Sequence, residues 1–184
     1  AQFEQAAGAD SDLAAGSLQE ELASIGEPDT SLWAPGRIKD YQVSLTQELP
    51  DVLGVLEVPS VGLKVPVYST NTELVMDRGA GIIDGMAYPH EPGNIGISGH
   101  RDGFFRVLKD IQEGDRIMLR SPSRVETYEV AGITIVDKHD DRILHEKSDH
   151  RRLTLVTCYP FDAVRPGGDQ RYLVWAAPAA AISR

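Results

Sequence analysis

The sequence has little of several features that would narrow its function at once. One cysteine stands among 184 residues, so no disulfide can form within the chain and cysteine usage does not identify a compartment. No apolar run reaches the roughly 18 residues that a membrane span needs, and the first residues carry no signal-peptide pattern. Acidic side chains outnumber basic ones, and the net charge of −10 argues against nucleic acid or an anionic membrane surface as a partner.

The lone cysteine, Cys158, closes a run that is typical of a buried strand. Leu153 and Leu155 alternate with β-branched residues, and Tyr159-Pro160 is predicted to stop the strand. This places a thiol at the end of a rigid element, where a nucleophile would be both fixed and open to substrate. From these residues alone, a small buried hydrophobe is the alternative, since free cysteine is often buried.

Two other segments place reactive side chains at strand ends. The turn Pro92-Gly93 leads into a predicted strand, Asn94–Ser98, and His100 follows that strand. Arg171 lies near the start of another predicted strand, residues 169–176. A thiol, an imidazole and a guanidinium that are distant in sequence are therefore predicted to meet only if a barrel brings the strand ends together.

These segments together resemble the sortases, the cysteine transpeptidases of bacterial cell surfaces. Residues 154–158 match the signature Thr-Leu-x-Thr-Cys, and residues 97–100 match the small-residue strand that ends at the sortase histidine. Arg171 matches the arginine of the strand that follows the cysteine loop. The resemblance runs over about residues 53–175 and is strongest to class D and related proteobacterial enzymes.

The resemblance implies a division of roles. Cys158 would attack the backbone carbonyl of a C-terminal Leu-Pro-x-Thr-Gly-like sorting motif and form a thioester, which an amine from peptidoglycan or a pilin would resolve. Protonated His100 would give a proton to the leaving amine. Arg171, which does not deprotonate, would hold the oxyanion and the substrate backbone. Arg165, just before a Pro-Gly-Gly turn, is the alternative to Arg171.

Four neighbouring residues are also predicted to belong to the site. Ser98, Thr157 and Tyr159 are expected to line the substrate groove. Asp102 is expected to orient His100 or, alternatively, to cap the helical turn that follows it.

The number and spacing of the strands predict the fold. About eight short runs separated by turns, with few helices, favour a closed or nearly closed barrel. Besides the strands already described, the pattern predicts strands over residues 52–58, 63–68, 116–120 and 127–136. The resemblance makes this a mainly β, eight-stranded sortase-like β-barrel with a few short helices. We assign residues 51–178 to the barrel, residues 1–50 to a partly disordered N-terminal extension with short helices, and residues 179–184 to a tail.

Local patterns predict several smaller elements. A capping-box pattern at residues 17–20 predicts a helix over residues 18–25, interpreted as a stalk, with a regulatory arm over the active site as the alternative. Helical spacing near Tyr41 predicts a second helix. Residues 78–90 are predicted to be irregular, and a short helical turn is expected to direct Phe104, Val107 and Leu108 into the core.

No cofactor is predicted. The loop over residues 137–149 is acidic, and calcium is considered there because carboxylate oxygens are its ligands, although the spacing is not that of an EF-hand. Zinc is excluded at His139, His145 and His150, because no soft ligand accompanies these histidines.

Two other classes of protein compete with the transpeptidase interpretation. One is a cysteine hydrolase of the papain-like or cell-wall amidase kind, but such enzymes place the cysteine at a helix N-terminus, whereas Cys158 closes a β-rich run. The other is a non-catalytic barrel that binds extended peptides. The resemblance further implies action at the extracytoplasmic face of the bacterial cytoplasmic membrane, through an N-terminal anchor outside this chain.

Overall fold

The computed structural model describes residues 17–145, 150–165 and 167–179. The predictions of a loosely packed N-terminus over residues 1–16 and of a tail beyond residue 179 lie outside the described residues. So do two acidic positions of the loop considered for calcium, Glu146 and Asp149, and Pro166 of the last predicted turn.

The described residues form a closed barrel of eight strands, which confirms the predicted fold class. The strands are β1 Val52–Val58, β2 Leu63–Tyr68, β3 Ala80–Ile82, β4 Asn94–Ser98, β5 Arg116–Arg120, β6 Val125–Asp137, β7 Arg152–Tyr159 and β8 Gln170–Pro178. Around the barrel their order is β1-β2-β3-β4-β7-β8-β6-β5. Neighbours are antiparallel except for β2 with β3 and β4 with β7, which are parallel.

Most strand boundaries follow the sequence pattern, and one strand does not. β1, β2, β4 and β5 begin and end where predicted, while β7 continues one residue beyond Cys158 to Tyr159 and ends before Pro160. β3 lies in the stretch expected to be irregular, so that expectation is wrong. A Cβ on Gly81 of β3 would clash with the carbonyl oxygen of Thr70. β3 has only three residues, all of them small or apolar, so they show no alternation of polar and apolar side chains. A search for strand periodicity therefore misses this strand.

Short helices accompany the barrel. The described α-helices are α1 over residues 17–24, α2 Pro35–Ser44, α3 Glu73–Arg78 and α4 Arg142–His145. Two 3₁₀ helices span Pro59–Val61 and Phe104–Asp110. The two helices predicted before the barrel are therefore present.

Both ends of helix α2 contact elements that pack against the barrel. Trp33, just before α2, packs edge-on against Phe104 with ring centroids 4.9 Å apart, and Tyr41 packs against the same ring at 6.4 Å. At the C-terminal end, Nη1 of Arg78 donates to the carbonyl oxygen of Ser44 at 3.2 Å. These contacts hold α2 against α3 and the second 3₁₀ helix.

The second 3₁₀ helix buries Phe105 in addition to the side chains that were expected to face the core. Phe105 and Leu108 are fully buried in the core, while Phe104 and Val107 are only partly buried. The expectation was correct for Leu108, and Phe104 and Val107 also pack against the core while staying partly buried. A 3₁₀ helix has three residues per turn, so residues three apart share a face, and that face is the one carrying Phe105 and Leu108.

Alternation along β7 and β8 decides which side chains enter the barrel. Leu153 and Leu155 are buried in the core, so Cys158, which is out of phase with them, lies on the outer face. On β8 the core residue is Tyr172, so the preceding Arg171 also lies on the outer face. The thiol and the guanidinium are therefore on the same side of the sheet.

Candidate active site

The histidine and cysteine strands run side by side in the same direction. β4 and β7 are parallel, with Ser98 opposite Val156. Just past β4, the N–H of Gly99 donates to the carbonyl oxygen of Val156 at 3.2 Å. Because neighbouring parallel strands advance together, the chain positions that follow at this edge are His100 and Cys158. One strand pair thus brings together two residues that are far apart in sequence.

Arg171 reaches the same edge from the other side of β7. Cys158 is a free, half-buried thiol and lies directly opposite Arg171 in the antiparallel pair of β7 and β8. Residues so opposed share a face, with Cβ atoms typically about 4.5–5.5 Å apart. Nη1 of Arg171 donates to the carbonyl oxygens of Gly168 at 2.8 Å and Gln170 at 2.9 Å. The alternative, Arg165, is exposed in the loop between the two strands.

His100 lies in a mostly buried position beside acidic groups of α3. Its side chain is 12% exposed, and its Nε2 lies 3.2 Å from a carboxylate oxygen of Glu73 and 3.5 Å from one of Asp77. Nε2 has no hydrogen-bond partner among the described residues. Burial, followed by the positive charge of Arg37, lowers the pKa of His100 to about 4, while the carboxylate of Asp102 acts in the opposite direction. The ring stays neutral despite its acidic neighbours because Glu73 is 79% exposed to solvent and Asp77 is bound by Arg37.

A guanidinium from α2 binds two of the carboxylates near this ring. Nη1 of Arg37 donates to Oδ1 of Asp77 at 2.7 Å, and its Nε donates to Oδ1 of Asp102 at 3.0 Å. Burial raises the pKa of Asp77, and Arg37 opposes that effect. The structure thus places the carboxylate of Asp102 against Arg37, and the 3₁₀ helix that follows Asp102 has no side-chain cap.

The three residues predicted to contact substrate occupy different positions. Ser98 is half-buried on the outer face of β4. Thr157 is 2% exposed, and its hydroxyl donates to the carbonyl oxygen of Gly99 at 2.8 Å. Tyr159 is half-buried, with its ring stacked on Tyr172 at a centroid distance of 6.1 Å. The hydroxyl of Thr157 therefore links β7 to the segment that follows β4 through a hydrogen bond.

Sequence reasoning misses the structural importance of Arg101. This residue is 3% exposed and donates to the carbonyl oxygens of Pro160 at 3.1 Å, Arg165 at 2.8 Å and Gly167 at 2.6 Å. One buried guanidinium therefore ties the loop between β7 and β8 to the residue that follows His100. The sequence offered one indication of this role, namely a charged residue directly after His100 at the end of a predicted strand.

Sequence reasoning also misses Arg37, Glu73 and Asp77. The two acidic residues are four apart, so they lie on one face of a helical turn, and that spacing was an available signal. Arg37 offered none, since its partner Asp102 lies 65 positions further along the chain.

A cavity of about 460 Å³ lies next to this network. It separates α2 and the residues before it from the loop between β7 and β8. Its lining includes Trp33, Arg37, Arg101, Asp102, Phe161 and Val164.

Among the described residues there is neither a candidate metal centre nor a helix suited to cross a membrane. Within residues 17–145, 150–165 and 167–179, no three or more His, Cys, Asp or Glu side chains are grouped so that they would hold a metal ion. In the same part of the chain, none of the helices has the length and apolar character needed to cross a membrane.

Comparisons with known proteins identify relatives along most of the chain. A family model described as a sortase domain matches residues 56–179. Sortase D of Bacillus subtilis is 32% identical over 134 residues, which cover 73% of this chain and 67% of that protein. Among solved structures, a Clostridium perfringens sortase D5 transpeptidase aligns with a TM-score of 0.65 at 20% identity, covering 94% of this chain and 99% of the other. A lid mutant of Corynebacterium diphtheriae sortase A aligns with a TM-score of 0.67 at 21% identity, covering 95% and 96%.

Proposed function

The chain belongs to the sortase family, and on that premise we propose that it cleaves a C-terminal Leu-Pro-x-Thr-Gly-like sorting motif through a thioester on Cys158 and transfers the acyl group to an amine. Sortases are cysteine transpeptidases that act at the cell surface on proteins with sorting signals and on amine nucleophiles, in cell-wall or pilin anchoring. The observation that carries the finer proposal is the strand pairing that sets Cys158 opposite Arg171 and beside the exit of the strand before His100.

The first half-reaction acylates the thiol. The thiolate of Cys158 attacks the carbonyl carbon of the motif, because a thiolate and not a thiol is the nucleophile. The C–S bond forms, the C–N bond to the departing residue breaks, and the imidazolium of His100 gives its proton to the leaving amine. Since the buried ring of His100 is mostly neutral near pH 7, the thiolate–imidazolium pair is a minor form of the free protein.

The second half-reaction returns the protein to its starting form. A primary amine attacks the thioester carbonyl, His100 accepts the proton of that amine, and the sulfur of Cys158 leaves as the thiolate. The product is a new amide bond. Water in place of the amine gives slow hydrolysis, and the proposed natural amine comes from a peptidoglycan stem peptide or a pilin lysine.

Arg171 is proposed to stabilise the oxyanion that forms on the carbonyl during both steps. Both of its described hydrogen bonds use Nη1, and they hold the guanidinium on the outer face opposite Cys158. Nε and Nη2 are then available for charge-assisted hydrogen bonds to the oxyanion and to the substrate backbone.

We propose that the extended motif lies along the outer face of the barrel beside the ends of β4 and β7. Ser98, half-buried on the outer face, and Tyr159, at the end of β7, are the proposed contacts. Because the ring of Tyr159 packs against the core and Tyr172, its proposed contact with substrate lies at the end of the strand and not on the outer face. Thr157 belongs to the same proposal as part of the groove floor. Its burial and its bond to Gly99 support a contribution through the backbone rather than through its hydroxyl.

The proposal requires no cofactor. Of the acidic residues considered for calcium, Asp140 is bound by the Arg142 guanidinium at 2.8 Å. We further propose that the protein works at the extracytoplasmic face of the bacterial cytoplasmic membrane.

Product analysis with a panel of sorting-motif peptides, with and without an added primary amine such as triglycine, tests the proposal. A transpeptidase gives a new amide product only when the amine is present. A cysteine hydrolase gives the same free acid in both mixtures, and a peptide-binding barrel leaves every peptide intact. The location of Cys158 within strand β7, and not at a helix N-terminus, supports the first outcome.

A further inference from the structure

The ring of His100 is surrounded by charged and titratable groups from several parts of the chain. They come from α2, from α3, from its own segment and from β7, namely Arg37, Asp40, Glu73, Asp77, Arg101, Asp102 and Cys158. The balance among these groups decides whether the ring carries a proton.

One oxygen atom of this group has two possible partners. Oδ1 of Asp77 accepts a hydrogen bond from Arg37 at 2.7 Å and lies 3.5 Å from Nε2 of His100. The shorter contact is to the guanidinium, and Nε2 is left buried without a hydrogen bond to any described residue. Arg37 thus occupies the carboxylate oxygen that lies within reach of the ring.

The same guanidinium also holds the second nearby buried carboxylate. Nε of Arg37 donates to Oδ1 of Asp102 at 3.0 Å, and Nη1 lies 3.5 Å from Oδ2 of Asp40. Glu73 is also close to the ring, but it is solvated, so its charge is screened. The two less exposed carboxylates near the ring, Asp77 and Asp102, are therefore paired with an arginine, while the nearest one, Glu73 at 3.2 Å, is 79% exposed to solvent.

We propose that Arg37 controls the charge of His100 without touching substrate: it binds the carboxylates of Asp77 and Asp102 and so withholds from the ring the negative charge that would stabilise an imidazolium. This inference rests on the proposed function, in which the imidazolium is the acid of the first step. Arg37 is then a positioning residue, supplied by a helix that precedes the matched family segment, which begins at residue 56.

The contacts that hold α2 in place are different from those by which Arg37 affects the charge of His100. The aromatic contacts of Trp33 and Tyr41 with Phe104, and the bond from Arg78 to Ser44, hold the helix without contacting His100. A variant of Arg78 therefore provides a matched control: it removes an arginine that ties α2 to α3 and leaves the carboxylates around the ring paired.

Removal of the Arg37 guanidinium is expected to raise the pKa of His100. In Arg37→Met, Oδ1 of Asp77 becomes free to accept a hydrogen bond from Nε2–H, and a positive charge near the ring disappears. The pKa of His100 then rises from about 4 by at least about one unit, and each unit is tenfold in the imidazolium fraction at neutral pH. The acylation rate at pH 7 is expected to rise by about tenfold for each unit, with KM little changed.

Nuclear magnetic resonance titration of the histidine rings measures this directly. The chain has five histidines, and His100→Gln assigns the resonance in question. The expected result is a higher pKa in Arg37→Met, no change in Arg78→Met, and a return toward the wild-type value in Arg37→Met with Asp77→Asn. An unchanged pKa in Arg37→Met, or an equal rise in Arg78→Met, overturns the inference.

Two further measurements keep the test decisive. If Arg37→Met does not fold, Arg37→Gln replaces it. In the wild-type protein, a His100 pKa at or above the ordinary value near 6.5 contradicts the inference without any variant. If no variant cleaves any sorting-motif peptide, the proposed function fails, while the ring titration still decides whether Arg37 controls the charge of His100.

Discussion

The two halves of the proposed site are built in different ways. The strand half, Cys158 and Arg171, is positioned by cross-strand pairing within the barrel. The helix half, Arg37 and Asp77 beside His100, is positioned by side-chain contacts of helices outside the barrel. Backbone register therefore sets where the thiol of Cys158 and the guanidinium of Arg171 lie. The pKa of the imidazole is instead lowered by burial and then by the positive charge of Arg37. The positions of Cys158 and Arg171 can therefore be changed independently of the protonation of His100. Variants of the strand half should alter activity, and variants of the helix half should alter the pKa of His100.

The largest expected effect comes from removing the proposed nucleophile, Cys158 of the strand half. Cys158→Ala should abolish peptide cleavage and amide transfer, because no thioester can form. The thiol is half-buried on the outer face, so circular dichroism and the melting temperature should change little. Chromatography of peptide digests gives the activity. Cleavage at the wild-type rate in this variant would remove Cys158 from the mechanism.

The second prediction concerns the other residue of the strand half. Arg171→Ala should lower kcat/KM by about 10²–10³, the usual loss for one donor to an oxyanion. Arg171→Lys should recover only part of this, because an ammonium lacks the planar fork of a guanidinium. Arg165→Ala is the matched control in the neighbouring loop and should stay close to wild type. The opposite ranking of the two alanine variants would assign the role to Arg165.

The third prediction sharpens the contrast by testing the helix half through stability. The folded pKa of His100 is about 4, below the ordinary value near 6.5, so the unfolded chain binds the proton more readily between these pH values. The contribution of His100 to the free energy of unfolding is thus fully present above pH 6.5 and is lost as pH falls through 4, by about 3 kcal/mol in total. Urea unfolding of the wild type against His100→Gln isolates this contribution. Parallel pH dependence of the two proteins would show that the ring is not held neutral.

The smallest expected effect lies at the junction of the two halves. Thr157→Val removes the hydroxyl that binds the carbonyl oxygen of Gly99 and leaves that buried acceptor unpaired, which should cost about 1–3 kcal/mol of unfolding free energy. Thr134→Val is the control, because Thr134 is exposed on β6 and its replacement should change stability by less than about 0.5 kcal/mol. Equal losses in the two variants would mean that the bond does not join the strands.

The sequence was informative about the strand half for a physical reason. Alternation and proline placement locate β1, β2, β4, β5 and the end of β7, and the ends of strands are where Cys158 and His100 lie. Local patterns fail where the determining contact is distant or the element is very short. β3 has three residues, and the face of the second 3₁₀ helix depends on a period of three that a helical pattern does not reveal.

The helix half was not predictable from local patterns. Arg37 meets Asp102 and Asp77 across 65 and 40 positions, and no periodicity links residues so far apart. Arginine is mostly exposed in folded proteins, yet Arg101 is buried and donates to three carbonyl oxygens of one loop. Hydrogen bonds between residues distant in sequence, and not local propensity, decide these positions.

The measurement that bears most directly on the whole account is mass spectrometry of the intact protein after brief mixing with sorting-motif peptides and acid quenching. The account predicts an added acyl mass that maps to the tryptic peptide containing Cys158 and disappears when an amine is added before the quench. An acyl mass on another residue, or none with any peptide while cleavage proceeds, would contradict it.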